Sequence, residues 1–285
     1  MCDFSVDALP RPVHRGARTI ECLPPAAGRA HAVPSRPVDL GLNGRTAIVC
    51  GASSGLGLAS ADALAREGAN VAMFARRRDI LEREADRVGA LAIRGDVSSA
   101  ADLERLVTRT IEAFGGIDIV VWNSGGPRPG RALETSDVDL EEAFSLLLVP
   151  AVRLVRLALP HLERSPAGRV ICVTSGAVKE PAANLALTNA IRPGLTGWVK
   201  TLSREVGPKG ITVNCVAPGK IQTPRMQELY GEGGPPPDAV AEIPLQRLGD
   251  PREFGDVVCF LASDRAAYVS GVTLPVDGGA ARSLL

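Results

Sequence analysis

The sequence has no charge of either sign to spare: 32 Lys and Arg balance 32 Asp and Glu, a formal net charge of +0 over 285 residues. Without a basic excess it lacks the electrostatic footprint of a nucleic-acid partner. Histidine is scarce, at 3 residues, and the 6 cysteines form neither a CxxC pair nor a Cys/His cluster at zinc spacing. A metal site and a disulfide framework are therefore not expected, and a reducing, cytoplasmic setting fits. Cys50, Cys172 and Cys215 fall within or beside apolar runs and read as small buried hydrophobes. Long apolar runs are missing as well. No uninterrupted stretch reaches the ~18 residues that cross a bilayer. Residues 146–159 come nearest and are interrupted by Pro150, Arg153 and Arg156. No membrane partner is expected.

Residues 1–38 also lack something, a sustained hydrophobic periodicity. They are rich in Pro, Arg and Ala, and offer little apolar surface to offset the entropy of ordering. Asp3, Asp7 and Glu21 argue against a transit peptide, and no apolar core of a secretory signal is present. A disordered tail, or an over-extended translation start, is the expectation. Residues 39–285 are expected to form one domain.

What is present from Leu40 onward is alternation. Apolar runs of strand type fall at 45–50, 70–74, 90–94, 117–122, 168–174, 210–216 and 272–276. Helical patterns lie between them, at 56–67, 98–114, 138–163, 185–206 and 251–262. Strands that are apolar nearly throughout and separated by helices indicate a parallel sheet covered on both faces. The expected fold is a single α/β Rossmann-type domain, doubly wound, with a seven-stranded parallel sheet. Residues 220–244, with three glycines and Pro235-Pro236-Pro237, are expected to form a mobile excursion.

Between the first strand and first helix stands Gly51-Ala52-Ser53-Ser54-Gly55-Leu56-Gly57. In that context glycines permit a tight turn and close backbone approach, and the helix N-terminus faces a pyrophosphate. The same residues contain Gly-x-Ser-x-Gly, the nucleophile elbow of α/β-hydrolases. That reading needs a later His, and only His161 follows, in Pro160-His161-Leu162 on an amphipathic helix where a solvated role suits it. Dinucleotide binding is the reading kept. The second strand ends in Ala75-Arg76-Arg77-Arg78, with no carboxylate to receive the adenosine ribose hydroxyls. A guanidinium there pairs with a 2′-phosphate, so NADP(H) is the expected cofactor, with Arg76 and Arg77 at its phosphate.

Taken together these residues resemble the short-chain dehydrogenase/reductase family, from about residue 40 to the C-terminus. The resemblance extends to Asp96-Val97, which implies an adenine contact, and to Asn123-Ser124-Gly125-Gly126 after the fourth strand. It includes Pro218-Gly219, Ile221 and Thr223 on the nicotinamide side, and Ser270-Gly271 with Val276-Asp277-Gly278-Gly279 in the terminal strand. The implied cofactor residues are thus Gly51, Ser53, Ser54, Gly55, Leu56, Gly57, Arg76, Arg77, Asp96, Val97, Asn123, Gly125, Arg192, Pro218, Gly219, Ile221 and Thr223.

The family's chemistry uses an Asn, a Ser, a Tyr and a Lys. Ser175 matches the Ser that polarises a substrate carbonyl. The Tyr position holds Thr188, the Lys position Arg192, and the helix Asn is replaced by Leu147. The pattern resembles an atypical branch related to 3-oxoacyl-carrier-protein reductases, which carries Gly-Gly-Pro (Gly125-Gly126-Pro127) and Val-Lys-Glu-Pro (Val178-Lys179-Glu180-Pro181). That branch also has an Asn four residues before Ser/Thr-Asn-x-x-Arg, as in Asn184 with Thr188, Asn189 and Arg192. It places a Lys where Leu147 stands here.

Ser175, Thr188 and Arg192 are the candidate catalytic residues. Thr188 cannot ionise near neutral pH as a tuned phenol does, and Arg192 holds its proton. Lys179 and Glu180 are further acid or base candidates, Arg128 a candidate anion holder, and Tyr230 a candidate for closing over the site. Two readings follow: an NADP(H)-dependent oxidoreductase acting on a carbonyl or alcohol, or a protein of this fold that holds the dinucleotide without hydride transfer. Apolar residues beyond one stripe on helices 138–163 and 185–206 (Leu146, Leu147, Leu148, Leu195, Trp198, Leu202) suggest a homodimer or homotetramer.

Overall fold

A computed structural model describes residues 38–284. The expected tail, residues 1–38, lies outside the described residues apart from Val38. Seven strands form the sheet: β1 (Thr46–Cys50), β2 (Asn70–Ala75), β3 (Leu91–Arg94), β4 (Ile119–Trp122), β5 (Arg169–Val173), β6 (Thr212–Pro218) and β7 (Thr273–Val276). Their order is β3-β2-β1-β4-β5-β6-β7, and every pairing is parallel. Helices join them: α1 (Gly55–Arg66), α2 (Arg78–Val88), α3 (Ala100–Phe114), α4 (Asp137–Leu147), α5 (Val149–Leu162), α6 (Ala186–Val206), α7 (Pro224–Tyr230), α8 (Pro237–Ala241) and α9 (Pro251–Ala262). The expected seven-stranded doubly wound fold is the observed one.

The period-2 alternation of each strand sorts its side chains onto two cores. Ile48, Cys50, Phe74, Trp122 and Cys172 face one side, with Leu154 of α5 and Leu195 of α6. Ala47, Val49, Met73, Val121 and Ile171 face the other, with Leu64 of α1 and Phe254 of α9. The α1–α9 contact is close because Gly255 lies against α1; a Cβ there would sit 2.4 Å from the Ala59 carbonyl oxygen. Strand order reverses between β1 and β4, the switch point at which such sheets open a crevice at the strand C-termini.

Two expectations about the helices change. Residues 138–163 form two helices, because the chain breaks at Leu148 (φ −111°, ψ −57°) and the second starts at Val149 with Pro150 in its first turn. Among the described residues, the stretch Asp137–Leu162 is apolar and long enough to cross a membrane by length and composition alone. Leu147, Ala151, Leu154, Val155 and Ala158 of that stretch are buried in the core. Residues 220–244, read as an excursion, contain α7 and α8, each begun by a proline at its first position (Pro224, Pro237).

Candidate active site

The β1–α1 turn is shaped by Gly51 (φ +61°) and Gly55 (φ +56°), a left-handed geometry that a side chain would strain. A Cβ at Gly51 would also lie 2.6 Å from Asn123 Nδ2. Asn123, just past β4, donates from Nδ2 to the Cys50 carbonyl at 3.3 Å and so braces the turn from the neighbouring strand. Ser54 is the N-cap of α1 but makes no side-chain capping bond, and no acidic residue sits in the first turn. The first amides of α1 are therefore left for a ligand. Gly57 has a steric reason to lack a side chain. It does not line the cleft, and a Cβ there would fall 2.3 Å from the Gly51 carbonyl oxygen. Its lack of a side chain lets α1 approach the turn, a packing role.

A cleft of about 820 Å³ runs along the strand C-termini from this turn to α6 and α7. At the glycine end Ser53, Ser54 and Leu56 line it together with Arg76 and Arg77 from the end of β2. Arg77 folds over the turn, its Nη2 donating to Ser54 Oγ at 2.8 Å and Ser53 Oγ at 3.3 Å. Arg76 is exposed and reaches a smaller adjoining pocket shared with Arg94, Asp96 and Arg105. Arg94 and Arg105 were not singled out by the sequence. Asp96 accepts from the Ser98 amide at 2.9 Å, and Val97 lines the cleft beside it.

The opposite end gathers Ser175, Thr188 and Arg192, all on the cleft. Ser175 follows β5 and its Oγ accepts from the Ala177 amide at 3.2 Å, which leaves the hydroxyl proton free to be donated. Thr188 and Arg192, one helical turn apart on α6, are 6% and 7% exposed. Arg192 Nη1 donates to the Val173 carbonyl at 3.0 Å, and no carboxylate among the described residues pairs with it. Burial, together with the like charge of Arg225, pushes its pKa down to about 10, so it remains a cation at neutral pH. Pro218, Gly219, Ile221 and Thr223 line the same end. Gly219 is needed there because a Cβ would lie 2.6 Å from Asp277 Cα.

The motif around Asn184 has a mechanical explanation. Asn184 takes a positive φ of 58°, and its carbonyl accepts from the Gly130 amide at 2.7 Å. Asn189 clamps Ala182 from both sides, Oδ1 accepting from its amide at 3.1 Å and Nδ2 donating to its carbonyl at 2.8 Å. These bonds fix the loop between Ser175 and α6, and with it the Thr188 turn.

Several side candidates fall away. Arg128 is held outward by a bidentate ion pair with Asp139 and does not line the cleft. Lys179 and Glu180 do not line it either; Glu180 Oε1 accepts from the Arg282 amide at 2.6 Å. Tyr230 ends α7, is 42% exposed and lies off the cleft. Leu147 is fully buried, and its neighbour Leu146 faces the cleft instead. Two residues were missed. Ser124 Oγ is buried at the cleft without a hydrogen-bond partner among the described residues. Arg225 enters from the first turn of α7; the sequence signal was Pro224 after Thr223, a helix start inside a segment read as loop.

A family model described as enoyl-(acyl carrier protein) reductase matches residues 51–281. The 3-oxoacyl-(acyl-carrier-protein) reductase FabG of Vibrio cholerae is 35% identical over 246 residues, 84% of this chain and 98% of the relative. The chain belongs to the short-chain dehydrogenase/reductase family. Two solved structures share the family fold. L-Sorbose reductase from Gluconobacter frateurii, complexed with NADPH and L-sorbose, matches with a TM-score of 0.79 and 31% identity, over 87% of this chain and 100% of that one. An NADPH-bound short-chain oxidoreductase from Pseudomonas aeruginosa PAO1, containing an atypical catalytic center, matches at 0.79 and 29% identity, over 84% and 97%. For a member of this family, the cleft described above lies where the sheet's strand order reverses.

Proposed function

We propose that this chain is an NADP(H)-dependent oxidoreductase acting on a carbonyl or alcohol substrate through an atypical centre of Ser175, Thr188 and Arg192. The observation that carries it is one continuous cleft with two guanidiniums, neither paired with a carboxylate among the described residues, at its glycine end and a hydroxyl donor with a buried cation at the other. The residues present fit the dinucleotide: the positive-φ glycines leave room for its backbone, and the uncapped first turn of α1 suits a pyrophosphate. The orphaned Ser124 hydroxyl would gain a partner. Arg76 and Arg77 would hold the 2′-phosphate, Asp96 and Val97 the adenine, and Asn123, Gly125, Pro218, Gly219, Ile221 and Thr223 the nicotinamide half. When bound, the dinucleotide supplies the hydride that a carbonyl carbon gains, or accepts it from the alcohol.

The chain's own residues supply the rest. Ser175 donates to the oxygen on which charge develops, a contribution of ~10²–10³ in rate. Arg192 adds a fixed positive charge from a site closed to bulk water, where its field is little screened. The proton that oxygen gains comes through Thr188 and cleft water, since no phenol stands at that position. NADPH and NADH are titrated by fluorescence, and oxidation is followed by stopped flow against a carbonyl panel. Ser175→Ala is expected to lower turnover by about 10²–10³ with NADPH affinity unchanged. Loss of NADPH binding in that variant, or turnover equal to wild type, would reject the assignment. Binding without oxidation of any carbonyl would instead favour the reading in which hydride transfer is lost.

The working unit is proposed to be a homodimer or homotetramer. The apolar residues first cited for this divide: Leu147 and Leu195 are fully buried within the subunit. Leu202 is buried as well, and Leu146, Leu148 and Trp198 are half-buried, so none of the six is fully exposed. Val138, Leu140 and Phe144 of α4 and Leu274 of the edge strand β7 are among the apolar residues that are. Light scattering at micromolar concentration is expected to give at least a dimer, and a monomer would refute it.

A further inference from the structure

The Ser175 end of the cleft carries more positive charge than polarising a carbonyl requires. Arg192 and Arg225 both line it, from α6 and α7, and the like charge of Arg225 adds to the burial that holds the Arg192 pKa down. Arg225 is held flat against the loop after β4: its Nη2 donates to the Pro127 carbonyl at 2.7 Å, and a Cβ on Gly126 would lie 2.6 Å from that nitrogen. Among the described residues, the one carboxylate bonded to either arginine is Glu228, at 2.8 Å from Arg225 Nη1, and its side chain is 63% exposed. Two cations against one solvated anion leave a local positive excess beside the Ser175 hydroxyl. Leu146, Leu185 and Met226 add short apolar walls. Holding like charges together at the inner end of a cleft costs free energy, and an anionic ligand relieves it.

We propose that the substrate is an oxo acid, or the matching hydroxy acid, with its carbonyl oxygen on Ser175 and its carboxylate on Arg225 in the field of Arg192. This rests on the oxidoreductase reading above and narrows it to a substrate class. Arg225 thereby sets specificity: the N–H groups it does not give to Pro127 and Glu228 can donate to a carboxylate, and a neutral ketone leaves them unpaired. The role first considered for Arg128 passes to Arg225, because Arg225 lines the cleft and Arg128, paired with Asp139, does not.

The test is binding, read by calorimetry on the full chain, both unloaded and saturated with NADP⁺ so that no turnover occurs. Acetoacetate, 2-oxobutanoate and 4-oxopentanoate are each compared with their methyl esters, and dihydroxyacetone phosphate with dihydroxyacetone. At least one acid is expected to bind about ten- to hundred-fold more tightly than its ester, the worth of one charge-assisted hydrogen bond. Arg225→Met should reduce that preference to about twofold or less, Arg225→Lys should keep part of it, and NADPH affinity should stay as in wild type. Acids and esters binding alike would overturn the proposal. So would an Arg225→Met variant that loses NADPH and the acids in parallel, which would assign Arg225 to the cofactor. A preference confined to the phosphate pair would overturn the carboxylate assignment. Failure of NADPH to bind the unloaded wild type sinks the oxidoreductase reading instead, and the acid–ester comparison on that same unloaded chain still decides the arginine pair.

Discussion

The two ends of the cleft hold their cations in opposite ways. At the glycine end Arg76 is exposed, and Arg77 rests on the hydroxyls of Ser53 and Ser54. Water solvates them until a ligand arrives, so they cost the fold little. At the Ser175 end Arg192 is 7% exposed, with one backbone carbonyl as its recorded partner and a second guanidinium nearby. That charge is held out of water by the packing of α6 on the sheet, and the fold carries its desolvation at all times. The glycine end can thus be built from local chain geometry, whereas the Ser175 end needs a whole core to sustain it.

The largest effect that would break this comparison lies at the exposed end. Arg76→Glu is expected to weaken NADPH binding by about a hundredfold, through lost charge-assisted hydrogen bonds and new repulsion of the 2′-phosphate. NADH, which lacks that phosphate, should bind within about threefold of wild type. Fluorescence titration of both cofactors reads the ratio. Equal losses would mean that Arg76 acts on the whole cleft and not on one phosphate. Thermal stability should move by no more than about 0.5 kcal/mol, as befits a solvated side chain.

The same division decides how much the sequence could reveal. The sheet was legible because β1, β4, β5 and β6 are apolar nearly throughout, a pattern that a doubly covered parallel sheet imposes residue by residue. The glycine turn was legible because Gly51, Gly55 and Gly57 are close in sequence, though the steric reason for Gly57 appears only with the Gly51 carbonyl in place. The Ser175 end depends on elements far apart in the chain. Whether Arg128 or Arg225 faces the cleft is settled by Asp139 capturing the first and the Pro127 carbonyl holding the second. Neither partner follows from spacing. Nor does the break at Leu148, or the division by which Leu146 lines the cleft and Leu147 is buried in the core. The Asn184 and Asn189 pattern was visible as a motif, but its purpose as a loop clamp required the Gly130 and Ala182 backbone to be placed.

A smaller effect, of opposite sign, sharpens the comparison at the buried end. The folded state depresses the Arg192 pKa to about 10, below the ordinary guanidinium range, so its charged form is disfavoured by folding. The penalty is present in full below about pH 10, and relief comes only as pH rises above that, where the unfolded chain binds more protons. At neutral pH the charge is therefore a standing cost. Arg192→Met keeps most of the volume and removes the charge, at the expense of the hydrogen bond to the Val173 carbonyl. The net expectation is a gain of about 1–2 kcal/mol, a rise in Tm of about 2–8 °C by calorimetry, together with loss of turnover and of acid binding. A variant that loses both stability and activity would mean that the guanidinium holds β5 and α6 together as a structural bond. A variant that is more stable and inactive would mark Arg192 as a charge kept for the ligand against the preference of the fold.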